Sequence, residues 1–154
     1  MQNNNSKPRF MSIPNVWVQE EILKNLSQGK KVLLPIKGRS MEPFIRERDR
    51  VVLAPYNKAA LFKGSIVLAN YQDALLMHRV IRMHSGKIWL AGDANTAQHE
   101  YIGESDIAAV IVRLCRGRKT RKANTYYMRT LGLLWYRFRP LRKVINKLFK
   151  RVSS

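Results

Sequence analysis

A chain of 154 residues has room for one compact domain with an appendage but not for two independent cores. Its 45% hydrophobic and 25% charged residues give a globular balance, and a single cysteine, Cys115, excludes an internal disulfide, while no Cys/His cluster offers zinc-ligand spacing. The net charge of +19 is unevenly placed. All ten Asp and Glu lie at or before Asp106, whereas thirteen Lys and Arg fall between Arg116 and Arg151, so the C-terminal end calls for an anionic partner such as lipid headgroups or nucleic acid.

Residues 1–13 are Asn-rich and read as a flexible leader. No apolar h-region follows them and no run approaches the ~18 apolar residues of a membrane span, so the expectation is a cytoplasmic protein. From Pro14 to Gly29, Val16, Trp17, Ile22, Leu23 and Leu26 predict a short helix ended by Gly29, too isolated to be half of a DNA-reading helix pair. Short Val/Ile/Leu-rich runs follow: KVLLPIKG, RVVLAP, GSIVLANY, ALLMHRVIRM, KIWLAGD and DIAAVIVRLC. With Gly, Pro and Asn between them, they predict a small mixed or antiparallel β-domain over residues 30–116, with a hairpin at Ser85-Gly86-Lys87. Residues 117–125 read as a basic linker. In 126–154, Leu141, Val144, Ile145, Leu148, Phe149 and Val152 recur at helical spacing among Arg and Lys, predicting a basic amphipathic helix that starts near Pro140.

The chemistry-bearing string is Gly38-Arg39-Ser40-Met41-Glu42-Pro43, directly after a predicted strand. A serine becomes a nucleophile when a tight turn exposes it, backbone N–H groups face the developing oxyanion and a base lies within reach. Gly38 permits such a turn and Pro43 stiffens the chain beyond it. Taken alone, Ser40 reads first as an ordinary turn serine and Met41 as a core residue. His78 sits in an apolar strand where a core histidine is the common case. Asp93 caps a turn with Asn95 as readily as it orients a histidine. His84 and His99 read as surface residues and Cys115 as a small buried one.

The order of the motifs changes that balance. G-R-S-M-E-P resembles the nucleophile motif of type I signal peptidases and, more distantly, of self-cleaving phage and SOS repressors. GSIVLAN is similar to the family's G-D-I-V strand, with Ser65 in place of the acid. LLMHRVIRM matches the stretch that carries the base, and LAGDANTAQHEYI the G-D-x-N segment. The resemblance runs over about residues 36 to 114 and, with His78 where many relatives have lysine, is to the serine–histidine branch.

The resemblance implies a serine endopeptidase acting on a precursor or leader peptide, with Ser40 as nucleophile, His78 as general base and Asp93 as the orienting acid, and no cofactor or metal. Some relatives carry a further acidic position where this chain has Gln98 and His99, so a looser dyad stays open. A neutral imidazole is a base near physiological pH without the desolvation a lysine needs. The C-terminal segment suggests a peripheral protein on the cytoplasmic face of an anionic membrane. The alternatives are a nucleic-acid-associated regulator related to the self-cleaving repressors and an inactive adaptor of the same fold.

Overall fold

The computed structural model describes the backbone of residues 16–152 and the side chains of residues 16–145; the predicted leader and the side chains of Leu148, Phe149 and Val152 lie outside the described residues. Helix α1, Val16–Ser27, buries Ile22 and Leu26, one turn apart on a single face, and ends where Gly29 takes a positive φ of 77°. The strands are β1 (Val32–Pro35), β2 (Arg50–Pro55), β3 (Ile66–Tyr71), β4 (Ala74–His84), β5 (Lys87–Ala91), β6 (Glu100–Gly103), β7 (Ile107–Arg116) and β8 (Lys119–Lys122). Two helices, α2 (Tyr126–Arg137) and α3 (Arg139–Val152), close the described chain.

All strand pairs are antiparallel, in the order β1-β2-β7-β3-β4-β5-β6. The long β7 pairs with β3 through its first half and with β8 through its second. Two tight hairpins set the register of the central strands. Gln72 and Asp73 between β3 and β4, and Ser85 and Gly86 between β4 and β5, all have positive φ, the geometry of two-residue turns that match strand twist. The hairpin expected at Ser85-Gly86-Lys87 is thus present.

Alternation along β3 feeds two apolar clusters. Ile66 and Leu68 join the one that includes Ile22 and Leu26 of α1, and Val67 and Ala69 join the one built with Leu90 and Ile102. Each large aliphatic side chain withdrawn from water in this way contributes about 1.5–3 kcal/mol.

The structure refines the expected layout in three places. The basic linker is largely strand β8, whose four exposed residues carry no hydrophobic pattern and are held by the ladder with β7. The short β6 was not foreseen. The C-terminal segment is two helices, and α2 is docked on the β-domain. Thr125 caps α2 by accepting from the Met128 N–H, and the preceding Asn124 accepts from the Ile66 N–H of β3. Close approach of α2 depends on two glycines. A Cβ on Gly64 would lie 2.8 Å from the Cβ of Arg129, and one on Gly132 would overlap the guanidinium of Arg79. Among the described residues no helix is long and apolar enough to cross a membrane.

Candidate active site

Ser40 stands in a single turn held from below. Gly38 has a φ of +93°, and Met41 and Ile45, joined by the Ile45 N–H to Met41 carbonyl bond of 3.0 Å, are both buried in the α1-side cluster. Met41 anchors the turn so that its neighbour Ser40 can face the other way. The return of the loop is locked by Asp49, which accepts from Arg116 at 2.6 and 2.9 Å and from the Arg46 N–H at 2.8 Å. Burial pushes the Asp49 carboxyl up, but the bonds from Arg116 and Arg46 and the charge of Arg116 outweigh it and hold the group below its ordinary value. Arg39 beside the serine pairs with Glu42.

His78 lies on β4 opposite Val67 of β3 and is buried. Its Nδ1 is 2.7 Å from Oε2 of Glu100, the first residue of β6, and both side chains are 3% exposed. An ionised carboxylate only accepts, so Nδ1 carries the proton and Nε2 of the neutral ring keeps its lone pair. Gly92 brings the ring to the serine. A Cβ at Gly92 would lie 2.7 Å from the Ser40 carbonyl oxygen and 2.9 Å from His78 Nε2, distances that only a residue without a side chain allows. The Ala94 N–H donates to the same Ser40 carbonyl at 2.9 Å, tying the loop after β5 to the nucleophile turn. Ser40 Oγ and His78 Nε2 are both buried without a hydrogen-bond partner among the described residues. Two unpaired polar atoms in one small region cost stability and call for a functional explanation.

Asp93 is not where the motif reading put it. Its carboxylate forms a two-pronged pair with the neighbouring Arg79, Nε to Oδ1 and Nη2 to Oδ2, each 2.7 Å, while Arg79 Nη1 donates to the Gly64 carbonyl at 2.8 Å. His78 and Arg79 are consecutive on a strand and point to opposite faces, so each takes its own carboxylate, Glu100 for His78 and Asp93 for Arg79. Burial raises the Asp93 carboxyl above its ordinary value against the opposing pull of Arg79. The alternative turn-capping role falls to Asn95, whose Oδ1 accepts from the Ala97 and Gln98 N–H groups. Glu100 thus takes the place expected of Asp93, one residue past the Gln98-His99 pair. The signal in the sequence was the alternation Glu100-Tyr101-Ile102, which puts a charged residue on the inward face beside Ile102, where it needs a partner.

His99 is half-buried rather than on the surface. Its Nε2 lies 2.6 Å from the Tyr136 hydroxyl and 2.9 Å from Arg139 Nη1, and burial and the Arg139 charge push the imidazole below its ordinary value. His84 is exposed, and Cys115 is half-buried with its Sγ accepting from Thr120 Oγ1. Among the described residues no three His, Cys, Asp or Glu side chains are grouped as metal ligands.

The antiparallel β-domain thus gathers the Ser40 turn, the Glu100-held His78 ring and Gly92 in one region. The family model described as Peptidase S24-like matches residues 2–114, most of the chain, and the protein belongs to that family. Membership supports a peptidase or self-cleaving-repressor-like function, in line with the motif resemblance. No curated protein gives a significant match. The family match ends at Leu114, so β8, α2 and α3 lie beyond it.

Proposed function

We propose that the protein is a serine endopeptidase that cuts a precursor or leader peptide, with Ser40 as nucleophile, His78 as general base and Glu100, in place of Asp93, as the acid that holds the ring. The observation that carries this reading is that Ser40 Oγ and His78 Nε2 are both buried and unsatisfied where Gly92 lets the Ser40 backbone and the His78 ring come together, with Glu100 fixing the tautomer from behind. Ser40 Oγ attacks the scissile carbonyl as Nε2 takes its proton. The imidazolium is stabilised by the Glu100 carboxylate and then protonates the leaving amine; water repeats the sequence to release the acyl group. The Ser40 N–H is a donor for the oxyanion.

We propose further that the reaction takes place at the inner, anionic face of a membrane. Leu134, Phe138, Leu141, Val144 and Ile145 are exposed at the end of α2 and along α3 of a segment that has no acidic residue. Such a face suits lipid acyl boundary and headgroups together. It also borders an apolar hollow of about 550 Å³ lined by Thr96, Trp135, Phe138, Leu141, Arg142 and Ile145, so Thr96, in the loop between Asp93 and Glu100, lies next to this face.

A fluorophosphonate probe tests the chemistry without a known substrate. Labelling should occur at Ser40, vanish in Ser40→Ala with the fold intact, and fall by several orders of magnitude in His78→Ala. Undiminished labelling of folded Ser40→Ala removes this serine from the mechanism. Accumulation of internally cut chains on incubation of the purified protein, abolished by Ser40→Ala, would instead establish the self-cleaving activity. Flotation with phosphatidylglycerol vesicles tests the docking face: Leu141→Glu with Val144→Glu should abolish binding, and unchanged binding, or binding to nucleic acid but not lipid, defeats the membrane assignment.

A further inference from the structure

The loop of residues 93–99 has both of its ends in the candidate site. Gly92 before it flanks Ser40 and His78, and Glu100 after it holds His78 Nδ1. Between them the chain has no ladder partner, and its carbonyls are taken up by donors from α2 and α3. Trp135 Nε1 and Arg142 Nη1 both donate to the Asp93 carbonyl at 2.9 Å. Arg139 donates through Nε to the Asn95 carbonyl at 2.9 Å and through Nη2 to the Gln98 carbonyl at 3.0 Å, while its Nη1 meets His99 Nε2. Although it opens a helix with an exposed face, Arg139 is only 6% exposed, and its guanidinium lies over the Tyr136 ring at 4.7 Å as that of Arg142 lies over Trp135 at 4.3 Å. A guanidinium is a rigid fork of donors. Stacked on a ring, it fixes several acceptors relative to one another in a way that a flexible ammonium cannot.

We propose that Trp135, Arg139 and Arg142 are positioning residues: the two C-terminal helices clamp the 93–99 loop so that Gly92 and Glu100 keep Ser40 and His78 in reacting geometry. This deepens the peptidase reading and rests on it. The β-domain matched by the family supplies the reactive groups, and the segment beyond that match supplies the register between them. Release of the clamp leaves the sheet intact and the His78–Glu100 bond loose. A displacement of about 1 Å at such a site costs on the order of a hundredfold in rate.

The test uses the full chain, with Arg139→Ala, Arg139→Lys and Trp135→Phe. One readout is the low-field proton resonance of the His78 Nδ1–H, assigned by its absence in His78→Gln. The other is fluorophosphonate labelling of Ser40, resolved into the maximal rate and the concentration of half-saturation. Arg139→Ala should lose or broaden the resonance and lower the maximal rate about 10- to 100-fold, with half-saturation changed less than about threefold. Arg139→Lys should recover part of both. Trp135→Phe, which removes the indole N–H together with part of the ring and keeps an aromatic side chain, should fall about three- to tenfold and serves if Arg139→Ala does not fold. A wild-type resonance and maximal rate in folded Arg139→Ala, or in Trp135→Phe where the former is unfolded, overturns the clamp. So does a loss confined to half-saturation, which would make the helices a binding surface. A wild-type chain that shows the resonance but is never labelled refutes the peptidase reading alone, and the resonance then decides the clamp by itself.

Discussion

Two acid–base pairs sit back to back across β4. On one face His78 meets Glu100; on the other Arg79 meets Asp93. Both pairs are buried, and both carboxylates come from the same short stretch after β5. They differ in what is left over. Arg79 spends its donors on Asp93 and on the Gly64 carbonyl, lies 5.0 Å from the Phe44 ring centroid and is covered by Gly132 of α2. His78 leaves Nε2 buried with no partner among the described residues, near the Ser40 backbone at Gly92. A fully satisfied buried pair joins elements, whereas one that retains a free lone pair beside a hydroxyl can move a proton.

The largest test of that contrast is on the reactive side. Glu100→Gln should lower Ser40 labelling by about 10²–10⁴-fold because an amide neither fixes the tautomer nor stabilises imidazolium, with far smaller loss of stability than of rate. His78→Ala should lower labelling at least as far. Labelling that survives His78→Ala would assign the base to another group.

On the structural side the order reverses. Asp93→Asn leaves the Arg79 charge buried with one weakened partner and should cost about 3–5 kcal/mol in denaturant unfolding, while the labelling rate of the folded fraction stays within about tenfold. Arg79→Met combined with Asp93→Leu should return much of that stability. If Asp93→Asn instead abolishes labelling without destabilising the fold, the roles of the two carboxylates have been exchanged.

A smaller effect belongs to the helix that covers Arg79. Gly132→Ala places a methyl group in the guanidinium and should cost about 1–3 kcal/mol, detected as a lower melting temperature and as increased proteolysis after Thr125.

The smallest is the Asp49–Arg116 tie at the base of the nucleophile loop. Because the folded carboxyl is held below its ordinary value, its stabilisation is complete above the unfolded carboxylate range and is lost as pH falls through that range toward the lower folded value. With Arg116 partly exposed, the contribution is about 1 kcal/mol or less. Arg116→Met should flatten this acid-side decline, and an unchanged pH profile would show that the tie adds nothing measurable.

Much of this was written in local pattern. Ser40 and His78 were marked by their strings, and the predicted strands agree with the observed ones to within a few residues, because Val/Ile/Leu runs separated by turn residues leave few other ways to bury apolar area. The period-3.6 stripe at Leu141, Val144 and Ile145 fixed a helix, and Gly29 fixed the end of α1. Strand β8 left no such mark, since Lys119-Thr120-Arg121-Lys122 is polar throughout and forms only because β7 offers it a free edge. Which carboxylate serves His78 was also beyond local pattern. Asp93 and Glu100 are seven positions apart in one motif-bearing stretch, and either could have reached the ring. The choice was made by the opposite facing of His78 and Arg79, by the inward side of β6, and by helices α2 and α3, from outside the family match, gripping the loop between the two acids. A sequence specifies which groups exist and which face of an element they share. The distance between groups on different elements is set only when those elements pack.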